Sequence, residues 1–160
     1  MKKSEFTHVD THGNAAMVDV SEKPVTRRTA LAQAIVYLGR DIVSQIQSHE
    51  LQTKKGPVFQ TAMLAGVMGA KRTADLIPLC HPLGLDDCQI NIQVAGEAVI
   101  ITARAALSAR TGVEMEALTA VSIAALTVYD MCKAMSHDIV IREIKLLEKT
   151  GGKKDYKVQK

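Results

Sequence analysis

Arg110-Thr-Gly-Val-Glu-Met-Glu-Ala-Leu-Thr-Ala-Val-Ser-Ile-Ala-Ala-Leu-Thr-Val-Tyr-Asp-Met-Cys-Lys133 is the stretch whose reading decides the fold. Thr111-Gly112 opens it, and neither Pro nor a further Gly interrupts it afterwards. Val113, Ala117, Leu118, Val121, Ala124, Ala125, Val128, Met131 and Cys132 recur at helical spacing, which predicts one long helix. Its middle is built of small residues: Ala117, Thr119, Ala120, Ser122, Ala124, Ala125 and Thr127. Small side chains let a second backbone approach closely, so the helix is expected to lie centrally with both faces covered. Polar groups collect at its ends, Glu114 and Glu116 at the start and Asp130 and Lys133 at the finish. The helix dipole alone favours acids early and a cation late. Asp130 and Lys133 also stand three apart, side by side on the helix surface. A carboxylate beside an amine is an acid/base pair where the two are partly buried.

The length of that helix constrains any site. From Met115 to Lys133 is eighteen residues, about 27 Å at 1.5 Å of rise each. A small ligand cannot touch both ends of one straight helix. Functional groups at both ends serve separate sites or meet across a subunit boundary, and the second arrangement is the expectation.

Working outward, the 160 residues fit one domain, with 1–16 a loose polar arm and 150–160 a polar tail. There is no Trp and only three Tyr and two Phe, so the core must be aliphatic and filled by Met. A net charge of +3 suits an anionic ligand but is not the clustered basic face of a nucleic-acid binder. Cys80, Cys88 and Cys132 form no C-x-x-C pair, giving neither a disulfide framework nor a zinc motif. A reducing, cytoplasmic setting follows. Met1-Lys-Lys-Ser-Glu-Phe6 has no apolar run behind its cations, so no signal peptide is expected. No stretch approaches eighteen uninterrupted apolar residues, so no membrane span is expected either.

Met17 to Ser21 reads as a short extended piece, and Arg28 to Leu38 as a strand on its β-branched and aromatic end. Gly39-Arg40-Asp41 is a break with Asp41 as helix cap; a short helix then runs from Ile42 to about His49. Lys54-Lys55-Gly56-Pro57 is a loop, Pro57 opening a helix that reaches Leu76. Ile77 to Gly84 cannot be helix or central strand, because Pro78 and Pro82 flank Cys80-His81. Leu85–Ala95 and Ala98–Leu107 alternate as a hairpin about Gly96-Glu97, and Ile139–Leu147 is a last strand. The order is that of an α+β, ferredoxin-like split β-α-β unit: an antiparallel sheet with helices packed on one face.

His81, fixed between two prolines, reads equally as a ligand group in a preset loop and as a structural histidine bonded to backbone. Cys80 beside it does not make a zinc site, since adjacent side chains rarely converge on one metal. Lys55, Lys71 and Arg72 are the cations best placed to meet phosphates. No Walker-type or G-x-G-x-x-G loop is present. A nucleotide must then rely on side-chain cations and on the amides at Gly112 to Glu114. Glu114 and Glu116 would repel phosphate there, and suit instead the amino and ring N–H groups of a purine or pterin.

Asp75-Leu-Ile-Pro-Leu-Cys-His-Pro-Leu83, Thr111-Gly-Val-Glu-Met-Glu-Ala-Leu-Thr-Ala120 and Val128-Tyr-Asp-Met-Cys-Lys-Ala134 resemble the signatures of the cyclic pyranopterin monophosphate synthases, protein C of molybdenum cofactor biosynthesis. Met17-Val-Asp-Val-Ser21, Lys55-Gly56, Ala70-Lys-Arg-Thr73 and Gly151-Gly-Lys153 match in the same order, so the likeness covers essentially the whole chain. The resemblance implies an enzyme that turns 3′,8-cyclo-7,8-dihydroguanosine triphosphate into cyclic pyranopterin monophosphate and pyrophosphate. It implies a ferredoxin-like subunit in a homohexamer, a trimer of dimers, with active sites at the dimer interface. Carried over by motif, Asp130 and Lys133 are the catalytic pair with Lys55 assisting. Leu79, Cys80, His81, Met115 and Glu116 line the substrate site, joined by Arg28, Lys71, Arg72 and Glu114. No redox cofactor or resident metal is implied; Mg²⁺ with the triphosphate is left open. Lys133 is expected to move protons as an amine of lowered pKa. Two departures stand out: Ala109-Arg110 where many relatives have Gly-Lys, and Lys153-Lys154-Asp155 without the Ser-Gly often found after the first Lys.

Two other readings compete. A ferredoxin-like RNA-binding module would need exposed aromatics on its central strands for base stacking, and these strands have none. A ligand-sensing domain would bind without turnover and would not need Asp130 beside Lys133.

Overall fold

A computed structural model describes residues 12–159, so the first eleven residues of the expected arm lie outside the described part. The long helix, α4 in chain order, runs over Glu114–Cys132. Before it come strand β1 (Thr26–Tyr37), the one-turn helix α1 (Arg40–Val43), the two-residue strands β2 (Gln52–Thr53) and β3 (Gly56–Pro57), and helices α2 (Val58–Lys71) and α3 (Thr73–Leu76). Strands β4 (Asp87–Ala95) and β5 (Ala98–Ala109) follow, and β6 (Val140–Thr150) and β7 (Tyr156–Lys157) close the chain.

The main sheet has the order β4-β5-β1-β6-β7 and every neighbouring pair is antiparallel. Leaving aside the short β7, the four long strands stand in the order of a split β-α-β unit, with β1 and β5 at the centre. The fold is therefore the expected α+β arrangement. Alternation does the sorting: Ala30, Ala32, Ala34 and Val36 of β1 are buried, as are Val99, Ile101, Ala103, Ala105 and Leu107 of β5. This alanine-rich face lets α4 lie close on β1, β5 and β6. The opposite face, with Leu31, Gln33 and Ile35, stays half exposed.

Helix α2 crosses α4 at its small residues. An added Cβ on Gly66 would stand 2.9 Å from the backbone oxygen of Ala120 and 3.3 Å from the Ala124 Cβ. Ala117, Ala120, Val121, Ala124 and Ala125 are fully buried between α2 and the sheet. By length and composition α4 would also pass as a membrane-crossing helix, with a mean hydropathy of 1.3 over its apolar window. Its packing against sheet and helix makes it the core helix of the domain.

Four local expectations differ. The helix predicted to reach His49 stops at Val43; turns follow it, and Ser48 and His49 take left-handed φ values of 49° and 63°, which no helix includes. Asp41 lies in the first turn of α1; its N-cap is Gly39, with no side-chain cap bond. Met17 to Ser21 joins no strand. The helix predicted to reach Leu76 breaks at Arg72 into α2 and α3, while in the polar tail Tyr156 and Lys157 pair with Lys149 and Glu148.

Gly66→Ala forces α2 off a backbone oxygen that cannot rotate away. We expect a loss of about 1–3 kcal/mol, measured by urea unfolding; an unchanged midpoint would mean the helices are not held at this distance.

Candidate active site

The two ends of α4 carry two separate clusters. At its C-terminal end, Lys55 donates through Nζ to Asp130 Oδ2 at 2.6 Å and to the Asp130 backbone oxygen at 3.1 Å. Lys133 Nζ stands 2.7 Å from Asp130 Oδ1, the two being one turn apart on the helix. Asp130 is thus clasped by two ammonium groups. The hydrogen bonds from Lys133 and then Lys55 hold its carboxyl down to about 2. Donating that hydrogen bond to Asp130 raises the Lys133 amine. That corrects the expectation of a lowered amine pKa within one chain: all three side chains are more than half exposed, so desolvation is too weak to outweigh the ion pair.

At the N-terminal end lies a cleft in two adjoining parts of about 460 and 580 Å³. Leu79, Cys80 and His81 of the Pro-flanked loop border it together with Glu114, Met115 and Glu116. His81 Nε2 lies 2.9 Å from the carbonyl oxygen of Val18. A carbonyl can only accept, so Nε2 carries the proton and donates. His81 is thus bonded to backbone, as one of its two readings expected, and it also borders the cleft. Glu116 is only 3% exposed. Burial, reinforced by the charge of Glu114, pushes its carboxyl up against an opposing backbone hydrogen bond. Burial and then the nearby Glu116 push the Cys80 thiol up, which leaves it protonated rather than nucleophilic.

Besides Glu114 and Glu116, the cleft has cations from elsewhere in the chain. Lys23, Arg28, Arg110, Lys149 and Lys153 all border the cleft. Lys149 Nζ pairs with Glu114 Oε1 at 2.8 Å. Arg28 donates to the carbonyls of Ala109 and Arg110 at 3.4 Å each, which ties its guanidinium to the loop before α4. Lys153 is brought in by a turn at Gly151, whose φ of +82° and approach to the Arg27 carbonyl leave no room for a Cβ. Asp155 accepts the Gly151 N–H at 3.0 Å and closes that turn. Lys71 and Arg72 stand exposed at the far end of α2 and border neither part of the cleft.

The outermost members of the two clusters, Glu114 and Lys133, stand nineteen positions apart, about 28 Å along α4, so one chain does not bring all the expected residues together. The MoaC family model matches residues 17–152, a span that includes both clusters. The chain belongs to the MoaC family. Molybdenum cofactor biosynthesis protein 1 of Drosophila melanogaster is 52% identical over 155 residues, covering 96% of this chain and 27% of that protein. The chain thus spans about a quarter of that relative's length.

Within the MoaC match, the sequence reading passed over Lys23, Arg110 and Lys149, and just beyond it Lys153. A signal existed for three of them. Lys23 precedes a proline, Arg110 precedes Thr-Gly, and Lys153 follows Gly-Gly. A cation beside a chain-turning residue is held at a fixed place. Lys149 gave no signal, being one charge among several along β6.

Because the Asp130 carboxyl is held below its ordinary 3.8, its contribution to stability is present above that value and is lost as pH falls through about 2. In Lys133→Ala, the Asp130 titration followed by carbon-detected NMR should move up from about 2 toward 3.8. A midpoint that does not move would show that Lys133 is not its partner in solution.

Proposed function

We propose that this chain is a cyclic pyranopterin monophosphate synthase of molybdenum cofactor biosynthesis. It converts (8S)-3′,8-cyclo-7,8-dihydroguanosine 5′-triphosphate into cyclic pyranopterin monophosphate and releases pyrophosphate, which makes it a phosphorus–oxygen lyase. The observation that carries this reading is the MoaC match over both clusters, joined to a cleft with cations along its walls and carboxylates at its foot.

The chemistry fits the residues. The buried carboxylate of Glu116 and the neighbouring Glu114 accept N–H donors of the base or pterin. Arg28, Arg110, Lys149 and Lys153 neutralise the triphosphate. When a substrate oxygen attacks the α-phosphorus, the bond to the β-phosphate oxygen breaks and charge builds on the departing pyrophosphate, which the same cations stabilise. Rebuilding the ring needs proton transfers, assigned to Lys133 and Asp130 with Lys55 assisting. Protons and a phosphoryl group move with no net oxidation or reduction, so the reaction calls for no redox cofactor, and any Mg²⁺ would come with the triphosphate.

In this reading the active site forms between two copies of the chain, within a homohexamer built as a trimer of dimers. Two features support it. The clusters are too far apart for one ligand, and the Lys55–Asp130–Lys133 group is exposed in the single chain. Covering that group by the cleft of a second copy would desolvate it, lowering the Lys133 amine toward the range where it exchanges protons. The three free thiols, Cys80, Cys88 and Cys132, agree with a cytoplasmic setting.

The test is incubation with the cyclised dihydro-GTP and mass spectrometry for the monophosphate product. Wild type should yield it with one pyrophosphate per turnover, and Lys133→Ala should lose about 10²–10⁴-fold in rate. Full turnover in that variant would overturn the assignment of the pair.

A further inference from the structure

Lys55 sits on the turn of a very short hairpin, two residues of β2 against two of β3. So short a ladder cannot hold a lysine in place unaided. Its base is clipped from outside. The Glu50 carboxylate accepts the backbone N–H of Leu51 at 2.8 Å and that of Phe59 at 2.8 Å through Oε1. Through Oε2 it accepts the N–H of Gln60 at 3.1 Å. Phe59 and Gln60 are in the first turn of α2, whose N-cap is Pro57 with no side-chain cap bond. A residue nine positions upstream of Phe59 therefore supplies the cap that the helix lacks, and as an anion it also suits the positive end of the helix dipole.

Glu50 is itself aimed by strained backbone. Gln47 and Glu50 exchange both backbone hydrogen bonds at 2.9 Å across a turn whose two central residues, Ser48 and His49, have positive φ. Neither is Gly, and a left-handed residue with a side chain costs roughly 1–2 kcal/mol. The surroundings that hold this turn include buried Leu51 and Val58, joined by the bond from the Val58 N–H to the Leu51 carbonyl at 2.9 Å. The clip thus fixes both ends of the segment that carries Lys55, while the Lys55 amine makes its contacts with Asp130 across the gap to α4.

We infer that Glu50 is a positioning residue for the reaction: by clipping the Lys55 hairpin to the start of α2, it sets the lysine against Asp130. The inference rests on the assisting role given to Lys55 above. A helix cap alone would affect stability; a positioning residue must also change the behaviour of Lys55.

The test compares Glu50→Ala and Glu50→Gln with Ile42→Val, a core change outside the hairpin that controls for lost stability. Competitive labelling of lysines with an acylating reagent, read by mass spectrometry, reports how firmly each amine is engaged. In Glu50→Ala, Lys55 should label several-fold faster, approaching an unpaired surface lysine. Glu50→Gln, which keeps an acceptor oxygen, should fall between it and wild type. Ile42→Val should leave Lys55 unchanged. Turnover of Glu50→Ala should fall by roughly 10-fold in kcat with KM little altered. The loss should be largely absent when Glu50→Ala is added to Lys55→Ala, because both then act on one group. If Glu50→Ala and Glu50→Gln both leave Lys55 labelling as in wild type, the positioning role is wrong. If labelling changes while Lys55→Ala keeps full turnover, the assisting role of Lys55 is wrong, and the catalytic meaning of the clip falls with it.

Discussion

The close seat of α4 between α2 and the sheet is the constraint on which the rest of the molecule depends. Alanines on the inner face of β1 and β5 and glycines on α2 remove the side chains that would otherwise stand between backbones. Interiors of this kind are packed to the density of organic crystals, so the helix cannot bend to bring its ends together. It acts as a fixed spacer of about 28 Å, and the polar groups at its two tips are held apart by its length.

Each tip then has its own electrostatic character. At the start of the helix, two carboxylates lie at the foot of a cleft walled by cations from β1, β6 and the tail. One carboxylate, Glu114, is matched by Lys149; the other, Glu116, is buried and raised toward its neutral form. Such a cleft can take a molecule with an N–H-rich end and an anionic end. At the finish of the helix, one carboxylate is shared by two amines in the open. Exposed, that group is a well-satisfied ion cluster with little drive to move protons. Its chemistry depends on being covered, and the cleft lies at the other end of the same rod.

Much of this was legible in the sequence where one period or one punctuation mark decided the matter. The spacing of Val113 to Cys132 gave the long helix, and Gly96-Glu97 between two alternating runs gave the β4–β5 hairpin. The pairing of Asp130 with Lys133 followed from a three-residue step. What stayed hidden depends on contacts between distant segments. The five cations of the cleft come from separate places in the chain; the resemblance pointed to Arg28, and neighbouring Pro or Gly residues hinted at three of the others. The turn before Glu50 has left-handed Ser48 and His49, residues whose type does not announce that conformation. The Lys133 amine is raised by its hydrogen bond to Asp130 because the pair stands in the open, and a sequence does not display exposure. The cap on α2 comes from Glu50, outside the windows in which caps are sought.

The claim at the centre is that a working site takes the start of one α4 and the finish of another. The most direct measurement mixes two inactive variants, His81→Ala at one cluster and Lys133→Ala at the other, under conditions that exchange subunits. If the site is shared, half the dimers formed from an equal mixture are hybrids with one intact site of two. Turnover should then recover to about a quarter of wild type. A mixture that exchanges subunits fully yet remains as inactive as its parts would show that each chain uses both clusters by itself, and would contradict the account.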